Sequence, residues 1–232
     1  MTFDFLLGLY FILYPLYVFL THKKERQSVL EDSTKRLGVY IQTTIHLWVP
    51  TVVLFTMISL TSMQLSDIGL RWHWQLNQFI GLALVILVCG YLLMALKQLK
   101  NTLADRQSLE QLKTQLAHVQ WLMPQTLTES RYFVWVLSVS AGICEELLFR
   151  GYLLQLLTPY VSVYGAVAIS SIAFGLGHCY QGAAHVLRTA VMGVIFALVY
   201  LMTDSILIPI MLHAAIDMYS GMLGYRVNQM TS

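Results

Sequence analysis

The chain has 232 residues, 57% of them hydrophobic and 11% charged, with a formal net charge of +2; soluble domains carry about 25% charged residues. This balance excludes an ordinary soluble domain and predicts a polytopic membrane protein, and a charge so small gives no reason to expect a nucleic-acid partner. Cys89, Cys144 and Cys179 sit in or beside apolar stretches without paired zinc or disulfide spacing, so they are expected as free thiols.

Phe3 to Leu20 is a continuous apolar run long enough to span a bilayer. No basic residue precedes it, which argues against a cleaved signal peptide. From His22 to Arg36 the chain carries five of its fourteen basic residues, so the positive-inside rule puts this loop in the cytoplasm and the N-terminus outside. Gly38 to Leu60 is the second span, and its loop, Thr61 to Gln78, holds only Arg71. Phe79 to Leu96 is the third, ending in Lys97 and Lys100. Leu109, Leu112, Leu116, Val119 and Met123 then recur at three- and four-residue steps among polar residues, the pattern of an amphipathic helix lying on the cytoplasmic interface until Pro124.

Tyr132 to Leu157 is the fourth span, Val161 to about His178 the fifth, His185 or Val186 to Thr203 the sixth and Ile206 to Gly224 the seventh, with Asp204-Ser205 expected to cap the last. Lys23, Lys24, Arg26, Lys35, Arg36, Lys97, Lys100, Arg106, Lys113, Arg131, Arg188 and Arg226 fall inside or at the inner boundary, and Arg71 alone outside. The predicted fold is therefore all-α: about seven transmembrane helices plus an interfacial helix in a single integral membrane domain, 1–232. Within it, 1–100 hold three spans, 101–130 the interfacial helix and 131–226 a four-span core.

The expensive residues lie in that core. A charge at bilayer depth costs several kcal/mol and marks a functional-site candidate. Glu145, Glu146 and Arg150 stand in the fourth span, His178 ends the fifth, and His213 and Asp217 lie in the seventh. Glu146 and Arg150 are four apart with the acid first, the favourable order for a helical ion pair. Glu145 points roughly 100° away and cannot share that partner equally well. Asp217 is one turn from His213, where a carboxylate can orient an imidazole. Each feature alone is ordinary: the ion pair reads as structural, and a lone membrane histidine is as readily interhelical glue as catalyst. His22, His46, His73, His118 and His185 are read as structural. The conjunction of an unpaired Glu, two His and a second carboxylate is not ordinary, because such a set can hold and deprotonate a water, directly or through a bound zinc.

Glu145-Glu-Leu-Leu-Phe-Arg150 resembles the EExxxR motif of the CAAX prenyl protease and bacteriocin-processing (CPBP, or Abi) intramembrane proteases. Phe174-Gly-Leu-Gly-His178 resembles their FxxxH motif, and His213-Ala-Ala-Ile-Asp217 their HxxxN or HxxxD motif. The resemblance covers about residues 130–225 and implies hydrolysis of peptide bonds in a water-accessible cavity within the membrane. It implies that Glu145 activates the water, His178 helps to hold it, His213 with Asp217 supports the oxyanion, and Glu146 and Arg150 orient Glu145. Many members have Asn where this chain has Asp217, and an ionised carboxylate cannot donate to an oxyanion. Zinc held by Glu145 or Glu146 with His178 and His213 stays open beside a metal-free general base. The paired HExxH helix typical of zinc peptidases is absent from the sequence, which favours the latter. The expected partners are the bilayer and a protein or peptide substrate. The expected place is a bacterial plasma membrane, N-terminus outside and C-terminus in the cytoplasm. An inactive scaffold or bacteriocin-immunity protein of the same fold is the alternative, and a transporter is disfavoured by the lack of an internal repeat.

Overall fold

The computed structural model describes residues 2–230, and among them all regular structure is helical. The helices are α1 (Thr2–Glu31), α2 (Lys35–Leu60), α3 (Leu76–Ala104) and α4 (Arg106–Leu116). After them come α5 (Leu127–Leu157), α6 (Val163–Leu176), α7 (Ala183–Thr203) and α8 (Leu207–Gln229). Lys100, counted above as a boundary base, lies outside the described side chains.

Six of these helices are long and apolar enough to cross a membrane, where the sequence pattern predicted seven spans. The difference is α6. Its 14 residues rise about 21 Å, short of a hydrocarbon core of about 30 Å. The helix stops at Leu176, and the chain turns through a 3₁₀ segment, Cys179–Gln181, before α7. His178 thus lies about 22 Å along the chain from the start of α6, and Glu145 about 18 Å back from the end of α5. A histidine just past a helix end and a glutamate in a helix middle thus lie at similar distances along their segments from the connection between α5 and α6.

α5 begins with a capping box in which Thr126 and Glu129 exchange bonds, five residues before the boundary drawn at Tyr132. Within it the backbone widens to π-helical bonding over Phe133–Leu137 and again over Leu147–Leu153. π segments inside α-helices recur at functional sites, and the second starts directly after Glu146. α5 lies against α8 so closely that a methyl group on Gly142 would come within 2.9 Å of the Ala214 side chain. Leu147, Leu148, Phe149 and Tyr152 bury against Leu7 of α1 and Leu54 and Met57 of α2.

α4 has the expected amphipathic pattern, but its leucines are not turned to lipid. Leu109, Leu112 and Leu116 pack on Leu96, Leu99 and Val227, so the helix seals the ends of α3 and α8. Val119 and Met123, assigned to the same helix by their spacing, lie beyond its end and are buried in the following turn. Asp204 does not cap α8 either. It ends α7 in a left-handed conformation and pairs with Arg71, while the Ser205 hydroxyl donates to the Arg71 carbonyl. Cys89, Cys144 and Cys179 are free thiols.

Candidate active site

A cavity of about 430 Å³ opens between α1, α2, the turn after α4, α5, α7 and α8. Glu145, His178, His213 and Asp217 all line it, whereas Glu146 and Arg150 lie behind its wall, fully buried. The structure thus brings all six sequence-predicted residues to one place and sorts them into two layers.

The back layer is an ion pair with attachments. Arg150 Nη1 donates to Glu146 Oε1 at 3.0 Å and Nη2 to the Gly193 carbonyl at 3.1 Å. The guanidinium lies 4.3 Å from the Phe174 ring centre and 5.6 Å from that of Phe196, contacts that favour a buried cation. The same Oε1 of Glu146 is 2.8 Å from His213 Nδ1. A carboxylate only accepts, so Nδ1 carries the hydrogen and Nε2 faces the cavity. Phe196 stacks on the His213 ring and Phe174 meets it edge-on, which locks the imidazole plane.

One pairing is not in the sequence reading. Glu146, 67 residues away in sequence, holds His213 Nδ1 at 2.8 Å, while the expected Asp217 reaches the other ring nitrogen, its Oδ2 3.5 Å from Nε2. Glu146 and Arg150, expected to orient Glu145, make their bonds to His213 and Gly193 instead.

The front layer is short of donors. Glu145 Oε2 lies 3.6 Å from His213 Nε2 and, although buried, has no hydrogen-bond partner. Nε2 of a neutral His213 is itself an acceptor, so Glu145, His213 and Asp217 present three acceptors to one another. One proton shared within the trio, or a water between them, resolves the conflict. His178 is fixed differently: its Nδ1 lies 3.0 Å from the Phe174 carbonyl, which can only accept, so Nδ1–H donates and Nε2 is left as an acceptor.

Residues read from sequence as structural also reach this cavity. His46 lines it from α2, edge-on to Tyr14 and Tyr17 of α1. His118 and His185 line its mouth as a stacked pair 3.4 Å apart. No local signal marks them, because each lacks an acidic neighbour one turn away. Among the described residues no group of three or more His, Cys, Asp or Glu is gathered to hold a metal ion.

No curated protein and no solved structure matches the chain. Residues 128–219, the stretch that holds all six of these side chains, match the family model described as type II CAAX prenyl endopeptidase Rce1-like, a family of intramembrane proteases and the one the three motifs resemble.

Proposed function

We propose that this integral membrane protein is an intramembrane endopeptidase that hydrolyses a peptide bond of a membrane-associated protein or peptide, with Glu145 as general base. The observation that carries the reading is the unpartnered Glu145 Oε2 in the cavity wall, one residue from a glutamate whose Oε1 takes both Arg150 and His213. A buried acceptor without a donor is costly and is kept where a ligand or water completes it.

Two acceptors, Glu145 Oε2 and His178 Nε2, hold a water by its two hydrogens and leave an oxygen lone pair free to attack. As the oxygen bonds to the carbonyl carbon, Glu145 takes the proton and the carbonyl π pair moves onto oxygen. His213, with Nδ1–H fixed on Glu146, donates from Nε2 to that oxyanion when the proton of the acceptor trio resides there. Collapse breaks the C–N bond, and Glu145 returns its proton to the departing amine. In this reading the protein lies in a bacterial plasma membrane, N-terminus outside.

The test is hydrolysis of a quenched fluorescent peptide, carrying a membrane-inserting chain, by the protein reconstituted in liposomes. Wild type should cleave it, with no loss on adding a chelator, and Glu145→Ala should be inactive while still inserted and folded. A fully active Glu145→Ala variant sinks the peptidase reading, and inactivation by chelator that zinc reverses sinks its metal-free form.

A further inference from the structure

The oxyanion is underserved in the site just described. His213 supplies one hydrogen bond at most, and Asp217, beside it, adds a further acceptor, so water attack would leave the new negative charge with a single donor and a carboxylate close by. Oxyanion sites ordinarily present two or more preorganised donors.

We propose that the phenol of Tyr180 is the second donor and acts as a catalytic residue at the oxyanion; this rests on the peptidase reading above. Tyr180 lines the same cavity and sits two residues after His178, its ring centre 6.0 Å from the His178 ring. Its hydroxyl already accepts from Gln181 Nε2 at 3.0 Å, so its own O–H is free to point elsewhere. The turn that carries it is stiff. Gln181 N–H donates to the His178 carbonyl and Gly182 N–H to that of Cys179, at 3.0 and 3.1 Å. Gly182 closes the turn at φ 96°, a left-handed conformation suited to glycine. The Cys179 thiol reaches the Pro15 carbonyl of α1, tying the turn to that helix. A donor on such a turn needs no reorganisation as charge develops. Burial, and after it the carboxylates of Glu145 and Asp217, push the phenol above its ordinary pKa, so the O–H stays protonated. The phenol keeps its proton throughout: the attacking water's proton goes to Glu145 and from there to the amine, and Tyr180 contributes only a hydrogen bond to the oxygen that receives the π pair.

The test is Tyr180→Phe, which removes one oxygen, in the liposome assay and in binding of a peptide phosphinate, a tetrahedral mimic of the intermediate, against the parent peptide. kcat should fall about 10²–10³-fold, the effect of losing one oxyanion donor, with KM nearly unchanged. The phosphinate should bind more than tenfold more weakly while the parent peptide binds as before. Replacing Asp217 by Asn in the same protein supplies an amide donor and should restore at least tenfold in kcat. If Tyr180→Phe keeps its kcat within twofold while Glu145→Ala is dead, or if the phosphinate binds both proteins equally, the Tyr180 role is wrong and the peptidase reading stands. A double variant no faster than Tyr180→Phe also overturns it. Full activity in Glu145→Ala brings down the peptidase reading itself.

Discussion

Among the described residues, two buried clusters of opposite charges are built to different standards. At the start of α5, Arg36 Nη1 reaches both oxygens of Glu129 at 3.1 and 3.2 Å, and its Nε donates to the Trp121 carbonyl. Glu129 Oε2 also accepts from the backbone N–H groups of Gln125 and Thr126. In the centre of α5, the pair Glu146–Arg150 is at least as buried, yet Arg150 Nε, Glu146 Oε2 and Glu145 Oε2 have no hydrogen-bond partner. A charge pair that only holds two segments together gains by filling its lone pairs from the backbone, and the Arg36 cluster does so. The central cluster leaves acceptors open at a cost of about 1–3 kcal/mol for each unsatisfied group. Departures from full polar satisfaction are expected at functional sites.

Exchanging the acids of the two clusters breaks this comparison most sharply. Glu145→Gln should lower the cleavage rate about 10²–10⁴-fold, the usual worth of a general base, and leave thermal stability in detergent unchanged or slightly higher. Glu129→Gln strands the Arg36 guanidinium without its counter-charge, at about 3–5 kcal/mol. It should therefore cut the yield of folded protein while the rate per folded molecule stays the same. Unfolding by Glu145→Gln, or a slow but well-folded Glu129→Gln, would reverse the assignment of the two clusters.

A finer cut separates the two jobs of Glu146. Glu146→Ala and Arg150→Ala each leave a buried group unpaired and should destabilise by a few kcal/mol. The double replacement removes both charges and should be milder than the sum of the singles by about 0.5–3 kcal/mol, read as thermal midpoints in one detergent. Activity should not recover with the fold, because His213 Nδ1 then has no carboxylate to donate to. A double variant that is both stable and active would show that Glu146 serves the ion pair alone.

Pairs close in sequence and the gathering of the motif residues were legible, and the particular bonds that join one helix to another were not. Glu146 with Arg150 follows from a spacing of four, and the placing of Glu145, His178, His213 and Asp217 together follows from three short motifs. The Glu146–His213 bond spans 67 residues and the Arg36–Glu129 pair 93. Each depends on how two helices cross, which hydropathy does not encode. α6 misled for a related reason. Its apolar run from Val161 to about His178 reads as a span, but the helix stops at Leu176 and a 3₁₀ turn follows with little change in hydropathy. His46, His118 and His185 came out as structural because only tertiary packing, through Tyr14, Tyr17 and one another, brings them to the cavity.

The smallest effect is expected at the cavity mouth, in a contact that belongs to neither charge cluster. His118, on the turn after α4, stacks on His185 of α7 with ring planes 13° apart, which closes one side of the mouth. Burial, then the neighbouring His185 and, more weakly, Arg188, hold the His118 pKa below 6.5. A histidine that binds its proton less tightly in the folded protein than in the unfolded chain contributes its full stability above about pH 6.5 and loses it as pH falls through the lower folded value. Protonation would also set two cations face to face beside Arg188. Acidification from about pH 7.5 to about pH 5.5 should therefore loosen the turn against α7, raising amide hydrogen exchange at Val119–Leu122 about threefold beyond the intrinsic pH effect. His185 is the other titratable ring in the contact. His118→Asn removes one ring from the stack and leaves His185 in place. Loss of the pH-dependent gain in that variant assigns it to the histidine stack, and an undiminished gain overturns that assignment.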